Sequence, residues 1–276
     1  MNTFKVWNRY FGWVIFLVAL LTYGLTVEPT ASFWDAGEYI ATSAKLQVGH
    51  PPGAPLFQML GAFFAMFAFS PEKVALMVNF MSVFSSAFTI LFLFWTLTLL
   101  MRKLPTFKSL DTIYQRITFF GSASVGALAF CFSDSFWFNA VEAEVYAMAT
   151  FILSLIFWLA LRWEQDMDKP RGDRWLLLIS FIIGLSFGVH FMGLLTIPAL
   201  GMIYYFKNTQ KINFKNFLIA NVLSVAILLF IFKLLLPTTL AFFGESEVFF
   251  VNKIGLPFNS GTIISGFCFL LFFFYS

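Results

Sequence analysis

Long runs of apolar residues recur along the chain, separated by short polar segments. Windows of about nineteen residues, the length needed to cross a bilayer core, place eight such runs. They cover residues 11–27, 74–101, 117–132, 146–161, 175–190, 191–206, 217–236 and 261–275. No ten-residue alternating pattern is present, and lipid leaves unpaired backbone groups unsatisfied, so each run should be a helix. The pattern predicts an all-α polytopic transmembrane bundle of about eight spans.

Composition agrees with a membrane protein and excludes a water-soluble one. The 276 residues are 60% hydrophobic, 21% aromatic and only 11% charged, against about 25% charged in a soluble domain. The net charge of +3 is too small to indicate nucleic acid. Cys131 and Cys268 both lie in apolar runs, so neither a disulfide framework nor a zinc site is indicated. We expect one integral membrane domain over residues 1–276, with the lipid bilayer as its partner.

The basic residues predict the orientation. If the N-terminus is cytoplasmic, most of the 17 Lys and Arg residues fall on the inner side. Successive loops alternate between basic inner segments and less basic outer segments only if residues 56–69 do not cross the membrane. We interpret this segment, which begins after Pro55, as a surface helix in an outer loop spanning residues 28–73. The first run could instead be a signal peptide, and the last run, which ends at residue 276, indicates a truncated chain.

Both histidines and most acidic residues then fall on the outer side. Acidic residues contribute little to topology, and ionisable groups near membrane depth are functional candidates by default. Asp35 and Glu38 would share one face of a helix starting near Ser32. The alternative is structural: Asp35 only caps that helix and Glu38 favours its positive end. His50-Pro-Pro-Gly would form a stiff turn leading to the surface helix.

The second outer loop is a weaker signal. On a helix, Glu142 and Glu144 would point to different sides, so at most one would face a given site. Asp134 is most simply a solvated loop residue. His190, close to two glycines, is more often a buried structural histidine than a ligand-binding one.

Four motifs carry a resemblance to a known family. They are Asp35-Ala-Gly-Glu38, Gly49-His50-Pro51-Pro52-Gly53, Ala143-Glu144-Val145-Tyr146 and Gly188-Val189-His190. Together they resemble the membrane domain of the vertebrate O-mannosyltransferases that modify plexin-type IPT domains, and more closely the bacterial relatives of those enzymes. The resemblance implies a GT-C glycosyltransferase with surface helices in its first outer loop. It also implies residence in the bacterial inner membrane and a site facing the periplasm.

The same resemblance implies roles for individual residues. Asp35 and Glu38 would be catalytic, and the substrate-binding candidates are Lys45, His50, Pro52, Glu144, Tyr146 and His190. The donor would be a polyprenyl-phosphate-linked sugar, such as mannose, and the acceptor a protein Ser or Thr hydroxyl. Whether a divalent cation takes part stays open. The alternative function is a multispanning transporter or lipid-sugar flippase, which would carry polar groups near the membrane midplane.

Overall fold

A computed structural model describes residues 3–275, with side chains up to residue 272. Every regular element in this range is helical, so the all-α prediction is confirmed. The chain divides into two compact units, Met1–Thr196 and Ile197–Ser276. A single membrane domain over the whole chain stays a prediction.

Within the described residues, the first unit contains eight α-helices. They are α1 (Thr3–Leu25), α2 (Ala36–Ala44), α3 (Leu56–Ala65), α4 (Val74–Met101), α5 (Ile113–Cys131), α6 (Asp134–Ala140), α7 (Val145–Asp166) and α8 (Asp173–Ser186). Short 3₁₀ helices cover Pro71–Lys73, Pro105–Phe107 and Phe191–Thr196. The predicted surface helix exists as α3, which begins at the predicted residue and is only ten residues long. Its position at a membrane surface stays a prediction.

Helix α4 is the centre of the first unit and contacts α1, α5 and α7. Aromatic rings contribute to the core that α1, α4 and α5 share. Phe4 of α1 stacks on Phe120 of α5, and Phe119 meets Phe120 edge to face. The start of α5 is fixed by a capping box, in which Thr112 and Gln115 satisfy each other's backbone N–H groups. Apolar packing therefore holds together helices that are distant in sequence.

Four helices of the described residues are long and apolar enough to cross a membrane. They are Thr3–Leu25, Pro71–Met101, Val145–Asp166 and Phe214–Lys253. Ile113–Cys131 with Asp134–Ala140, bent by 69°, adds a fifth if the pair forms one span. The predicted runs at 175–190 and 191–206 correspond to shorter helices of 14 and 12 residues, divided by the 3₁₀ segment. The count of eight spans therefore stays a prediction.

The second unit consists of α9 (Ile197–Asn208), α10 (Phe214–Phe230), α11 (Leu236–Val248) and α12 (Ser260–Tyr275). A π-helical segment, Ile231–Leu235, joins α10 to α11, so the helix continues beyond residue 236, where the sequence pattern ends the run. Pro237 lies inside this continuous helix just after the π-helical segment, where it removes one backbone hydrogen bond. Glu247 of α11 accepts the backbone N–H groups of Asn259 and Thr262 and so caps α12.

Candidate functional site

One end of the first unit collects the outer loops of the sequence analysis. Asn79, near the start of α4, bonds the carbonyl of Glu28 just beyond α1. Tyr23, near the end of α1, bonds the carbonyl of Cys131 at the end of α5. At the opposite end, Arg102 lies 4.5 Å above the ring of Phe4. Successive long helices therefore alternate in direction, and all the candidate residues from 35 to 190 belong to segments at the first end.

Two buried groups hold the loop that precedes Asp35. The Asn79 side chain donates to the carbonyls of Glu28 and Thr30, at 2.7 and 2.9 Å. The Ser32 hydroxyl donates to Glu142 Oε2 at 2.5 Å. Because these anchors come from α4 and from the segment before α7, the position of Asp35 is set by residues far away in sequence.

Helix α2 begins directly after Asp35, so Asp35 is the N-cap residue, as one of the two sequence alternatives predicted. Its side chain, however, makes no capping hydrogen bond. The capping hydrogen bond that the structural alternative requires is therefore absent, because the carboxylate does not bond the helix it precedes. Its Oδ2 lies 3.4 Å from His50 Nε2 instead.

Glu38 lies one turn along α2 and binds the same histidine at two atoms. Its Oε1 accepts the backbone N–H of His50 at 2.8 Å, and its Oε2 lies 2.9 Å from His50 Nδ1. The imidazole therefore lies between two carboxylates. We call Asp35, Glu38 and His50 the carboxylate–imidazole cluster. Its side chains are 56, 44 and 42% exposed, so all three are open to a ligand.

Electrostatics favour charge on both members of the pair formed by Glu38 and His50. Hydrogen bonds from the backbone and ring of His50 lower the pKa of Glu38. The hydrogen bond to Glu38 raises the pKa of His50, and the nearby Asp35 and Glu144 add to this. The imidazolium form of His50 is therefore stabilised between the carboxylates.

The buried Tyr39 ring packs beside the carboxylate–imidazole cluster. Its ring lies 5.6 Å from that of His50 and 5.2 Å from that of Phe57, between ring centroids. Its hydroxyl donates to the Pro52 carbonyl at 3.1 Å, which is the contact that the predicted residue Pro52 makes here. Burial raises the pKa of Tyr39 to about 12, with smaller contributions from Glu144 and Asp35. The His50-Pro-Pro-Gly turn is thus fastened to α2 through Tyr39.

The expectation that Glu142 and Glu144 face different sides is wrong. Both lie outside the helices, and Glu144 has an extended backbone as the N-cap residue of α7. The Glu144 N–H donates to the Glu142 carbonyl at 2.9 Å, so the segment forms a tight turn instead of a helix. Both side chains reach the loop before α2: Glu142 binds Ser32, and Glu144 accepts a hydrogen bond from the Asp35 backbone.

Glu144 is 6% exposed. Burial, with smaller contributions from the neighbouring Glu142 and Asp35, raises its pKa to about 7 against the opposing effect of the Asp35 and Val145 backbone bonds. A carboxyl group that titrates near neutral pH is a functional candidate when it adjoins other ionisable groups. Glu144 therefore supplies a second ionisable group beside Asp35.

Tyr146 and His190 form a neighbouring pair, with ring centroids 5.6 Å apart. His190 Nδ1 accepts the N–H of Met192 at 3.2 Å, so the proton of the neutral ring lies on Nε2. Burial lowers the pKa of His190, which favours that neutral form. The two histidines of the site thus differ, since His50 is stabilised as a cation and His190 as a neutral donor.

The start of α3 connects this pair to the cluster. The Phe57 N–H donates to the carbonyls of both Gly53 and Gly188, each at 3.1 Å. A Cβ at Gly188 would lie 2.9 Å from Leu56 Cβ, so only glycine permits this approach. His190 follows two residues later, and α3 therefore fixes the distance between the two histidine-bearing segments.

Lys45 is the candidate that lies apart. It is the C-cap residue of α2, at the opposite end of that helix from Asp35, about 15 Å along the axis. As for a cation, the described residues contain no group of three His, Cys, Asp or Glu side chains arranged to hold a metal ion. The two ring nitrogens of His50 face carboxylates, so its imidazolium occupies the position where a cation would meet both.

Sequence reasoning missed three residues of the site. Tyr39 and Ser32 carry no sequence signal that separates them from other loop and helix residues. Asn79 does carry a signal in the sequence, because a lone amide near the start of a long apolar run is a functional candidate by default. Its side chain is fully buried and bonds the loop before Asp35.

The candidate residues fall within the region that matches a known family. A family model described as the protein O-mannosyl-transferase TMEM260 N-terminal domain matches residues 35–213. The match begins at Asp35 and includes His190. It confirms the family resemblance carried by the four motifs.

Two curated relatives agree with this match. The protein O-mannosyl-transferase tmem260 of Dictyostelium discoideum is 25% identical over 163 residues, which are 59% of this chain and 18% of that protein. The protein O-mannosyl-transferase TMEM260 of Mus musculus is 27% identical over 176 residues, which are 62% of this chain and 22% of that protein.

The aligned region is thus about a fifth of each relative's length. No solved structure matches the chain. Because the family model covers well over half of its residues, the chain belongs to the family of protein O-mannosyl-transferase TMEM260 N-terminal domains.

Proposed function

We propose that the chain is the catalytic membrane part of a protein O-mannosyltransferase. It transfers mannose from a polyprenyl-phosphate carrier to a protein Ser or Thr hydroxyl on the non-cytoplasmic side. The observation that carries this proposal is the His50 imidazole held between Asp35 and Glu38. The names of the matched relatives supply the sugar and the protein acceptor. The carrier and the side of the membrane are our extension.

Asp35 is the general base. The acceptor hydroxyl oxygen attacks C1 of the mannose, and its proton passes to the Asp35 carboxylate, which must lie within about 3 Å of that oxygen. The bond from C1 to the phosphate oxygen breaks, and the phosphate leaves with the bonding electron pair. Attack opposite the leaving group inverts the anomeric centre. The free Asp35 side chain suits this role, since it neither caps α2 nor is buried.

Glu38 and His50 position the base. Glu38 binds both the backbone and the ring of His50, which fixes the plane of the imidazole. His50 Nε2 lies 3.4 Å from Asp35 Oδ2, a distance of ionic attraction beyond the usual range of a strong hydrogen bond. The imidazolium therefore orients Asp35 while leaving the second carboxylate oxygen for the acceptor. Glu38, which the sequence analysis placed among the catalytic residues, acts through His50 in this scheme.

The leaving phosphate requires hydrogen-bond donors as charge develops on it. The Nε2–H of His190 is the donor we assign, because its Nδ1 is occupied by the Met192 N–H. The Tyr146 ring beside it limits the positions of the imidazole. Glu144, half-protonated near pH 7, supplies a further O–H donor next to Asp35. Lys45 has no role in this scheme.

The distribution of charge supports a non-cytoplasmic site. The end of the first unit opposite the cluster carries Arg102, Lys103 and Arg162, which contact Phe4, Glu164 and Trp175. By the positive-inside rule this end faces the cytoplasm. The cluster then faces the other side, which in a bacterial inner membrane is the periplasm. Short α2 and α3 in the first outer loop fit the surface helices expected of a GT-C enzyme.

Sugar transfer is the decisive experiment. The full chain in nanodiscs is incubated with radiolabelled mannosyl-phosphoryl-polyprenol and a Ser/Thr-containing peptide, and label in peptide or released to water is measured. We expect Asp35→Asn to lower the rate at least a hundredfold. Asp134→Asn, an exposed aspartate in the first turn of α6, is the matched control and should transfer normally.

Two results would contradict the proposal. One is transfer by Asp35→Asn at the rate of the unmodified chain. The other is passage of the labelled lipid across the membrane of closed vesicles that contain the chain, without any transfer. That result would favour the alternative of a transporter or flippase. Circular dichroism and thermal unfolding of the Asp35→Asn variant must show that it is folded.

A further inference from the structure

Gln58, in the first turn of α3, is a polar residue that the proposed reaction leaves unused. Its side chain is only 3% exposed. Both the amide nitrogen and the amide oxygen are enclosed, and neither has a hydrogen-bond partner among the described residues. The amide therefore offers two donor protons and one acceptor oxygen that nothing in this part of the chain satisfies.

Such an amide is unfavourable for folding. More than nine in ten buried polar groups are hydrogen-bonded, so an exception requires an explanation. A leucine or methionine of similar volume would fill the same space without leaving polar atoms unpaired. Residues that cost stability in this way are concentrated at functional sites. The presence of glutamine here points to a ligand that completes its hydrogen bonds.

The amide lies directly behind the turn that carries His50. A Cβ placed on Gly53 would be 3.4 Å from Gln58 Nε2, 3.0 Å from the Tyr39 ring and 3.4 Å from Val145 Cγ1. The Tyr39 ring also contacts His50. Gln58 and Tyr39, whose ring contacts His50 of the carboxylate–imidazole cluster, thus both lie beside the turn at Gly53.

We propose that Gln58 binds the sugar of the donor. A side-chain amide presents an acceptor and a donor side by side, which matches two neighbouring hydroxyl groups of a hexose. One hydroxyl donates to Oε1, and the next accepts from Nε2. Because both atoms are enclosed, the sugar reaches them when the turn around Gly53, which lies beside the amide, shifts. This inference rests on the proposed function, and it identifies a residue that selects the sugar and not the lipid.

Binding to two matched ligands tests this role. The full chain in nanodiscs is titrated with a short-chain polyprenyl-phosphoryl mannose and with the same polyprenyl phosphate lacking the sugar. For Gln58→Leu we expect about tenfold weaker binding of the mannosyl ligand, the loss expected for a pair of hydrogen bonds. Binding of the bare phosphate should be unchanged. The melting temperature should stay level or rise, because an unpaired amide has been removed.

Two variants control for packing. Gln58→Met keeps an unbranched side chain and should repeat the result for Gln58→Leu. Ser86→Ala removes a different buried group without a hydrogen-bond partner, the hydroxyl of a fully buried residue of α4. It should change neither affinity.

The outcomes separate this inference from the proposed function. If the unmodified chain binds neither ligand, the polyprenyl-phosphate donor of the proposed function is wrong and this inference fails with it. If it binds both with equal affinity, no residue selects the sugar and only this inference fails. If the unmodified chain distinguishes them and Gln58→Leu does so equally well, only the role of Gln58 is wrong. A fall of the melting temperature in both Gln58 variants would also overturn it, since the amide would then be satisfied within the folded protein.

Discussion

Glu38 binds His50 at two atoms, accepting the backbone N–H at 2.8 Å and lying 2.9 Å from the ring Nδ1. The eleven residues between them include most of α2 and the loop that leads to His50. Two contacts of one carboxylate fix both the turn and the ring, so Nε2 is directed at Asp35. The base of the proposed reaction is therefore oriented by a residue that does not itself need to touch the substrate.

The charge of Glu38 should control the protonation of His50. In Glu38→Gln the side chain keeps its shape and loses its charge, so the pKa of His50 falls toward its ordinary value. Since the scheme uses the imidazolium form, the alkaline limb of kcat/KM should move to lower pH. The measurements are the pH profile of transfer and the histidine proton resonances. An unchanged profile would mean that His50 does not act as a cation, and Asp134→Asn serves as the control.

Glu144 should make the chain less stable as pH rises toward neutrality. Its pKa is raised to about 7 by burial, so between about 4.5, its ordinary value, and 7 the folded state binds more protons than the unfolded one. The free energy of unfolding then decreases with rising pH over that interval. In Glu144→Gln this part of the decrease should vanish, as measured by melting temperature at pH 5 and pH 8.

Glu142 and His50 also have raised pKa values and contribute in the same direction, so the difference between variant and parent is the informative quantity. The control variant Asp134→Asn should retain the full decrease of melting temperature between pH 5 and pH 8. A Glu144→Gln variant whose melting temperature falls as steeply as that of the parent would show that Glu144 is ionised well below pH 7.

The approach of α3 to Gly188 should tolerate no side chain. In Gly188→Ala the new Cβ would lie 2.9 Å from Leu56 Cβ and 3.0 Å from Leu56 N, where backbone must shift. We expect a loss of about 1–3 kcal/mol in the free energy of unfolding together with lower transfer, because α3 is displaced from the site. Chemical unfolding in mixed micelles measures the loss of unfolding free energy, and the transfer assay measures the loss of activity.

The control for this change lies in the preceding helix. Gly184 of α8 has no other atom within 4 Å of an added Cβ. Gly184→Ala should therefore be neutral or stabilising by up to about 1 kcal/mol. Equal effects of the two substitutions would show that α3 does not rest on Gly188.

Asn79 should be needed to place Asp35. Asn79→Leu removes two hydrogen bonds to the carbonyls of Glu28 and Thr30 and leaves those oxygens without this donor. We expect a loss of about 2 kcal/mol and a decrease in kcat, since the loop before α2 is released. Ser86→Ala, in the same helix and equally buried, should leave kcat unchanged. Retention of full kcat by Asn79→Leu would mean that Ser32 and α2 alone hold Asp35.

The local patterns predicted more of the helices than of the site. The long apolar runs ending at residues 101 and 132 became α4 and α5 within a few residues, because the length of an apolar run is a property of adjacent residues. The pairing of Asp35 with Glu38 on one face of α2 followed from helical spacing. The conformation of Glu142 and Glu144 could not be predicted in this way, since the turn between α6 and α7 interrupts the helical pattern.

What the sequence determined by itself was the all-α class, the uneven distribution of basic residues and the motifs that carry the family resemblance. Only the tertiary structure decided that Asp35 faces His50 instead of capping α2, that Glu142 and Glu144 both reach the loop before α2, and that Gln58 is enclosed beside Gly53. These contacts join segments separated by up to about a hundred residues. They depend on the packing of α2 and α3 against α4, which no local pattern of residues encodes.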